Sequence, residues 1–156
     1  MARSDAKQLV GWREYVALPD WDIGGVLAKV DTGARTSSLH VEHIRELPSG
    51  RLAFDVVLDR SGRFKHVVAT PVRVSRVRPS TGQLQHRHVV LTTLRLGNVT
   101  KQIELSLVSR GDMLCRMLIG RTALERDFLV DVSKRYLCGK PGGMKRAPHP
   151  QKKKAP

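Results

Sequence analysis

Short apolar runs separated by turn-forming residues cover most of the chain. We predict β-strands where these runs alternate polar and apolar positions or stay continuously apolar. They are LVGWREYVALP, GGVLAKV, LAFDVVLD, HVVATPVRVSRVR, RHVVLTTLRLG, KQIELSLVS, MLCRMLIG and FLVDVSKRYL. One helix of about two turns is predicted, from Arg121 to Asp127. Many strands with a single helix near the end predict an all-β barrel or sandwich.

The composition agrees with a β-rich domain that has an aliphatic interior. Hydrophobic residues make up 40% of the 156 positions, whereas aromatic residues make up only 4%. That length suits one domain with tails. We expect a flexible N-terminus over residues 1–8, one folded domain over 9–138 and a disordered basic tail over 139–156, because the tail is rich in Gly, Pro and Lys.

The positive charge of the chain is distributed unevenly. The net charge is +14, and the tail contributes six Lys or Arg and no acid, so the rest of the chain keeps +8. No Asp or Glu occurs from Arg60 to Ile103. Nine basic residues lie in that span: Arg60, Arg63, Lys65, Arg73, Arg76, Arg78, Arg87, Arg95 and Lys101. We expect an anionic partner. The alternatives are that the charge serves solubility alone, or that alternating arginines form the solvated face of a sheet.

The sequence gives no sign of secretion or of a membrane span. The start MARSDAKQLVGW has no apolar segment of the signal-peptide type, and no run reaches the ~18 apolar residues that cross a bilayer. The two cysteines, Cys115 and Cys138, form neither a disulfide framework nor a CxxC pair. We therefore expect a soluble, cytoplasmic protein.

The segment VLAKVDTGARTSSLH places a carboxylate at the end of an apolar strand. Gly33 permits a tight turn, the loop can donate backbone N–H groups to the Asp31 carboxylate, and the Thr32 hydroxyl can fix the loop. Two such carboxylates about 3 Å apart share one proton, and can act together as base and acid toward water and a carbonyl. The tripeptide alone is a weak signal, because Asp31 could simply cap a turn.

A second segment about 90 residues later strengthens the catalytic interpretation. MLIGRTALERDF contains two apolar residues and a glycine that can pack under a catalytic loop, followed by the predicted helix. Together with KVDTGARTSSLH, RHVVLTTLRLG, IELSLVSRGDM and FLVDVS, it resembles the RimB-like family of retropepsin-like aspartic peptidases, also called ATP-dependent zinc proteases. The resemblance covers roughly residues 9 to 138 and implies a retropepsin-like, single-lobe β-barrel with one short C-terminal helix.

The resemblance also assigns the catalytic loop. It implies that Asp31 is the catalytic aspartate, with Thr32, Gly33 and Ala34 as its loop. The chain has no second DTG or DSG. A C2 homodimer that pairs Asp31 with its symmetry mate is the simplest source of a second carboxylate. The alternatives within one chain are Asp112, Asp127 and Asp131, although a structural role is favoured for Asp131.

The family resemblance and the charge together suggest an acidic substrate. RimB-like proteins are linked to an ATP-grasp glutamate ligase and are thought to trim the glutamate tail that it adds to a ribosomal protein. The hairpin SRVRPSTGQLQHRHVV falls where a flap would cover the cleft, and guanidinium groups bind carboxylates bidentately. We predict that the substrate-binding residues are Lys29, Ala34, Arg35, Arg76, Arg78, Arg87, Arg110 and Arg121.

No cofactor is expected. His40 and His43, and His86 and His88, form close pairs without an obvious third ligand, no HExxH occurs, and no GxxxxGK[ST] motif supports ATP binding. The alternative function is a non-catalytic basic β-barrel that binds RNA or the ribosome. Its aromatic residues are too few and scattered for a stacking platform, although the tail could contact nucleic acid weakly and nonspecifically.

Overall fold

The computed structural model describes residues 6–78, 82–109 and 114–139. Within these ranges it contains eleven β-strands and one short α-helix. The strands are β1 (Gln8–Val10), β2 (Arg13–Leu18), β3 (Ile23–Val30), β4 (Ser37–Glu46), β5 (Leu52–Val57), β6 (Phe64–Ala69), β7 (Pro71–Val77), β8 (Gln85–Leu96), β9 (Val99–Val108), β10 (Met117–Ile119) and β11 (Phe128–Val130), and the helix is α1 (Arg121–Leu124). None of the described helices is long and apolar enough to cross a membrane.

Six strands close into a barrel, which confirms the predicted all-β class. The order is β10–β3–β2–β8–β9–β4, and β4 pairs again with β10. β10 closes the barrel by pairing with two strands, because Met117 lies opposite Ala28 of β3 on one side and opposite Leu39 of β4 on the other. The hairpin β5–β6 extends the sheet from β4, and β7 pairs with the first half of β8.

The barrel interior is aliphatic, as its composition predicts. Most of its side chains are Val, Leu and Ile, with Phe54 and Phe128 as the buried aromatic residues. Strand alternation produces this interior, since β2 buries Val16 and Leu18 on one face and β8 buries Leu94 and Leu96. The aromatic ring of Phe54 also contacts Trp21 edge-on, at 5.7 Å between ring centroids.

Several element boundaries differ from the predicted ones. LVGWREYVALP forms two strands rather than one, because Gly11 and Trp12 pass under the backbone of Lys134; a Cβ on Gly11 would lie 2.2 Å from the Lys134 carbonyl oxygen. HVVATPVRVSRVR is likewise divided into β6 and β7. The predicted two-turn helix has a single turn, because Glu125 is extended (ψ 147°) and Arg126 has a φ of +75°. β4 was not predicted at all.

The segment after β11 is tied back to the barrel by a buried carboxylate. Glu14 is fully buried, and its side chain accepts hydrogen bonds from the backbone N–H groups of Gly11 (2.6 Å), Leu137 (2.9 Å) and Cys138 (3.1 Å). Burial and the nearby Glu14 charge raise the pKa of the Cys138 thiol to about 11, so this thiol stays protonated at neutral pH. The predicted division into residues 1–8, 9–138 and 139–156 stays a prediction, because residues 1–5 and 140–156 lie outside the described residues.

Candidate active site

Asp31 lies in a tight turn directly after β3. Its backbone N–H donates to the carbonyl of Ile119 at 2.9 Å, and its own carbonyl accepts from the Ala34 N–H at 3.2 Å. The Gly33 N–H donates to the Asp31 Oδ1 at 3.1 Å. The turn therefore fixes both the backbone and one carboxylate oxygen of Asp31, while the side chain remains partly exposed. Thr32, the second residue of the motif, is exposed.

The end of the Leu-Ile-Gly segment and the two residues after it form hydrogen bonds with this turn and the residues that follow it. The Arg121 N–H donates to the Ala34 carbonyl at 2.8 Å, and the Thr122 N–H and Oγ1 both donate to the Arg35 carbonyl at 3.1 and 3.0 Å. The Gly120 N–H donates to the buried Ser37 hydroxyl at 2.9 Å. The two sequence segments that carry the resemblance are thus bound to each other by hydrogen bonds, as predicted for a catalytic loop and its support.

Arg121 holds the loop rather than lining a cavity. Its guanidinium Nη1 donates to the Gly33 carbonyl at 3.2 Å and lies 3.4 Å from the Thr32 carbonyl. The sequence predicts a substrate-binding role for Arg121, and that role stays a prediction. The contacts of its guanidinium with two carbonyl groups of the tight turn are those of a residue that supports the loop.

A cavity of about 390 Å³ opens beside the loop, and we call it the arginine cavity. Its basic side chains are Arg35, Arg73 and Arg87. Arg73 donates to Glu104 at 2.6 Å, and Arg87 donates to Gln85 at 3.1 Å. The other lining residues are Ala34, Thr36, Ser38, Ser75, Val89, Ser106, Val108 and Leu118. A cavity with this lining has the charge and the donors to accept an anionic side chain.

A second cavity of about 280 Å³ contains the Asp31 carboxylate, and we call it the Asp31 cavity. Its lining residues are Trp12, Arg13, Lys29, Asp31, Leu114, Cys115 and Leu118. Leu118 lines both cavities, so they adjoin each other at the β10 strand. Asp31, the carboxylate that the sequence predicts to be catalytic, therefore lines one of these cavities, and Ala34 and Arg35 of its loop line the other.

The structure brings together only some of the predicted substrate-binding residues. Ala34, Arg35 and Arg87 line the arginine cavity, and Lys29 lines the Asp31 cavity. Arg76 and Arg78 line neither cavity; Arg76 pairs with His86 on the face of the β7–β8 ribbon opposite to Ser75 and Arg87. Arg110 lies outside the described residues. The binding roles of all these residues stay predictions.

Sequence reasoning missed Arg73 and Arg13 as cavity residues. Strand parity could have found Arg73, because a strand places alternate residues on one face and Ser75 and Arg73 share theirs. The register shift between Pro71 and Arg73 does not disturb this pairing of faces. Arg13 had no local signal, because it reaches the site only through the pairing of β2 with β3.

The intrachain candidates for a second carboxylate are engaged elsewhere. The Asp127 Oδ2 lies 2.7 Å from the Lys101 Nζ. The Asp131 Oδ1 accepts from the Ser133 N–H and hydroxyl, whose hydrogen bonds hold its pKa below the ordinary value. These contacts are those of structural carboxylates. Asp112 lies outside the described residues.

Several of the described histidines contact a carboxylate, and two of them share the same one. The buried His40 has its Nε2 3.3 Å from Glu42, whereas His43 and His66 place their Nδ1 atoms 3.0 and 2.9 Å from the two oxygens of Asp55. Hydrogen bonding from His66, opposed by burial and assisted by His43, holds the pKa of Asp55 below its ordinary value. In the part of the chain that the structure describes, no group of three or more His, Cys, Asp or Glu side chains could hold a metal ion.

A single-lobe barrel with an Asp-Thr-Gly loop braced by a Leu-Ile-Gly segment defines the class of retropepsin-like aspartic peptidases. Within this class the chain belongs to the RimB-like family, because the family model described as "Retropepsin-like aspartic endopeptidase RimB" matches residues 9–141.

Similar proteins support the same assignment. A "Probable alpha-L-glutamate ligase" of Shewanella pealeana is 32% identical over 147 residues, which cover 90% of this chain and 32% of the relative. A protein of the same name from Parasynechococcus marenigrum is 37% identical over 134 residues, covering 80% of this chain and 28% of the relative. The chain thus spans about a third of the length of these curated relatives.

A solved structure shares the fold. The crystal structure of Lpg0085 from Legionella pneumophila, described as a protein of unknown function, superposes with a TM-score of 0.71 at 28% identity. The match covers 85% of this chain and 99% of that chain.

Proposed function

We propose that this protein is an aspartic peptidase that hydrolyses peptide bonds in acidic chains, with Asp31 as a catalytic carboxylate. The observation that carries the proposal is the fixed position of Asp31 in a cavity, at the tip of β3, with its Oδ1 held by the Gly33 N–H. A carboxylate that only capped a turn would not need a separately braced loop beside two basic cavities. The RimB-like family supports the same chemistry.

The proposed reaction needs two carboxyl groups that share one proton. The charged carboxylate removes a proton from a water molecule as the water oxygen bonds to the scissile carbonyl carbon, while the protonated partner donates to the carbonyl oxygen. The carboxyl group that took the water proton then donates it to the amide nitrogen as the carbon–nitrogen bond breaks and the amine leaves. The other carboxylate takes a hydroxyl proton from the tetrahedral intermediate, which becomes the new carboxyl group, and the pair again shares one proton. We propose that Asp31 of a second copy supplies the partner carboxyl group through a C2 dimer, since Asp127 and Asp131 are engaged elsewhere.

We propose glutamate-rich peptides as the substrates. Arg35, Arg73 and Arg87 line the arginine cavity next to the catalytic loop, and guanidinium groups bind carboxylates with two parallel hydrogen bonds. A neutral peptide would offer these guanidinium groups no carboxylate and would therefore bind less tightly. The names of the similar glutamate ligases favour a substrate that such an enzyme makes, such as a glutamate tail on a ribosomal protein in the cytoplasm.

The test compares the wild type with Asp31→Asn on a glutamate-tailed peptide and a neutral peptide of equal length, read by mass spectrometry. Asparagine keeps the shape of the side chain but cannot act as a base. We expect cleavage of the acidic peptide to fall by about 10² to 10⁴-fold, the usual contribution of general acid–base catalysis. The thermal unfolding midpoint should stay unchanged.

Asp22→Asn is the matched control, because Asp22 is 96% exposed at the opposite end of β3 and its φ of +57° suits asparagine. It should cleave like the wild type. Undiminished cleavage by Asp31→Asn would refute the catalytic assignment. Absence of any cleavage by the wild type, together with tight binding of RNA or ribosomes, would favour the non-catalytic basic barrel instead.

A further inference from the structure

The Asp31 cavity holds a pair of like charges that the fold places directly opposite each other. Arg13 of β2 and Lys29 of β3 are cross-strand partners in the antiparallel register, and both side chains line the cavity. Like charges at directly opposed positions destabilise a sheet. The fold therefore contains a charge repulsion here that one acid and one base at the same two positions would have avoided.

Neither member of this pair has a carboxylate partner among the described residues. No ion pair within 4.0 Å joins Arg13 or Lys29 to an acid in those ranges, although the Asp31 carboxylate lines the same cavity. The Arg13 Nε is also buried without a hydrogen-bond acceptor. A buried donor that lacks an acceptor costs free energy until a ligand supplies one.

Aromatic rings hold the Arg13 guanidinium in place. Its Cζ lies 4.7 Å from the centre of the Trp12 ring and 5.8 Å from that of Tyr136. Tyr136 is in turn stacked on Tyr15, at 5.5 Å between ring centroids. A cation–π contact does not use the N–H groups of a guanidinium as donors, so these groups can still bind a planar anion such as a carboxylate.

We propose that the Asp31 cavity is a second carboxylate subsite, in which Arg13 and Lys29 determine specificity by binding an acidic side chain next to the one in the arginine cavity. The inference rests on the proposed function and sharpens its substrate class. Side chains two positions apart in an extended peptide point to the same side. Lys29 and Ser38 both lie opposite Leu118, so the two cavities adjoin on one face of the sheet, and two acidic side chains two positions apart can occupy them, one in each. The substrate then requires paired acids rather than a single one.

The size of the Asp31 cavity agrees with a side-chain subsite. Its volume of about 280 Å³ lies just below the range of about 300–1,000 Å³ that is typical of whole small-molecule sites. Leu118 and Cys115 line it beside the two cations, so apolar side chains lie next to the charged groups. Apolar surface next to an ion pair lowers its contact with water and strengthens it.

The experiment measures binding by calorimetry in the Asp31→Asn background, where bound peptide is not cleaved. The probes are an acetylated, amidated peptide whose only charged residues are two glutamates separated by one neutral residue, and its two variants in which one glutamate or the other is glutamine. Arg13→Gln should weaken binding of the double-glutamate peptide about 10- to 100-fold, as expected for a charge-assisted hydrogen bond. Arg35→Gln tests the arginine cavity in the same way, and Arg45→Gln, an exposed residue that lines neither cavity, is the control.

The proposal predicts a crossed pattern. Arg13→Gln should have no further effect on one single-glutamine peptide, and Arg35→Gln should have none on the other. Equal effects of Arg13→Gln on all three peptides, or an effect no larger than that of Arg45→Gln, would overturn the subsite. Cleavage by the wild type is measured separately with the glutamate-tailed peptide. If the crossed binding pattern appears but the wild type does not cleave this peptide, only the proposed function is refuted.

Lys29→Gln separates a binding role from a structural one. Lys29 is exposed on its strand, so the substitution should not impair folding. Removal of one of two opposed cations should leave the thermal unfolding midpoint unchanged or raise it, while peptide affinity falls. A fall in both quantities would indicate that Lys29 supports the fold and would overturn its assignment as a specificity residue.

Discussion

Gly120 lies where the two segments of the candidate site pass closest to each other. A Cβ at this position would be 2.7 Å from the Thr36 carbonyl carbon, 2.9 Å from its oxygen and 3.0 Å from the Ala34 oxygen. All three are backbone atoms, which cannot rotate away as a side chain would. The glycine therefore allows the hydrogen bonds from Gly120 and Arg121 to form across the contact.

Gly120→Ala should accordingly destabilise the protein and displace the catalytic loop. We expect the free energy of unfolding to fall by about 1–3 kcal/mol, the usual cost of forcing an extra methyl group into a packed site. Urea titration measures this change. Gly24→Ala is the control, because a Cβ at Gly24 has no atom within 4 Å, and a loss of equal size in both variants would show that the close contact is not the cause.

At the scale of single residues, the sequence predicts which two loops meet at the candidate site better than it predicts which side chains line the cavities. The DTG loop and the LIG segment are local motifs, and their residues lie together in the structure as expected. Arg73 follows from side-chain parity along its own strand, whereas Arg13 enters the site only through the pairing of β2 with β3. Such long-range register is not encoded in a short stretch of sequence, and so Arg13 could not be found from a motif.

At the scale of elements, regular strands were predictable and interrupted ones were not. β8 alternates between more and less buried positions from Val90 to Leu96, and β9 does so from Val99 to Leu105, so their pattern is clear. β4 escapes the pattern because Leu39, His40 and Val41 are all buried, as this strand pairs with β9, β10 and β5. A register shift between Glu42 and Arg45, with a φ of +57° at His43, breaks the alternation further.

In the three-stranded extension β4–β5–β6, two imidazoles contact one carboxylate and so link the three strands through their side chains. Asp55 of β5 lies between His43 of β4 and His66 of β6, and each imidazole Nδ1 contacts a different oxygen. Their hydrogen bonds hold the pKa of Asp55 below its ordinary value, although burial opposes them. A carboxylate whose pKa is lowered by folding stabilises the folded state above its unfolded pKa, and that contribution is lost as the pH falls through its folded pKa.

Asp55→Asn should therefore remove a pH-dependent part of the stability. We expect the wild type to be more stable than the variant near neutral pH, and this difference to shrink as the pH falls from about 5 toward 2. Denaturant titrations across that range measure the difference at each pH. Asp22→Asn should not show the same pH dependence, because Asp22 is almost fully exposed. A constant difference across the range would refute the role of Asp55 ionisation.

At the scale of the whole molecule, the basic charge and the catalytic loop meet on the same part of the barrel. The arginine cavity and the Asp31 cavity together present five basic side chains within one adjoining region: Arg13, Lys29, Arg35, Arg73 and Arg87. One catalytic carboxylate in each copy is insufficient for the proposed reaction, however, since the chemistry needs a shared proton. The complete site would then belong to a pair of chains rather than to a single barrel.

Mixing wild type with Asp31→Asn tests this requirement directly. If the two Asp31 residues of a dimer form the site and subunits exchange freely, an equal mixture contains about one quarter wild-type dimers, and cleavage falls to about one quarter of that of wild type at the same total concentration. A monomeric enzyme would retain about one half, because each wild-type chain would act alone. Sedimentation at the assay concentration verifies that dimers are present, and co-purification of untagged Asp31→Asn with affinity-tagged wild type verifies that subunits exchange. Asp22→Asn in place of Asp31→Asn as the diluting chain verifies that dilution alone does not lower the rate. A value near one half under exchange would refute the shared dyad and assign the second carboxyl group to the same chain.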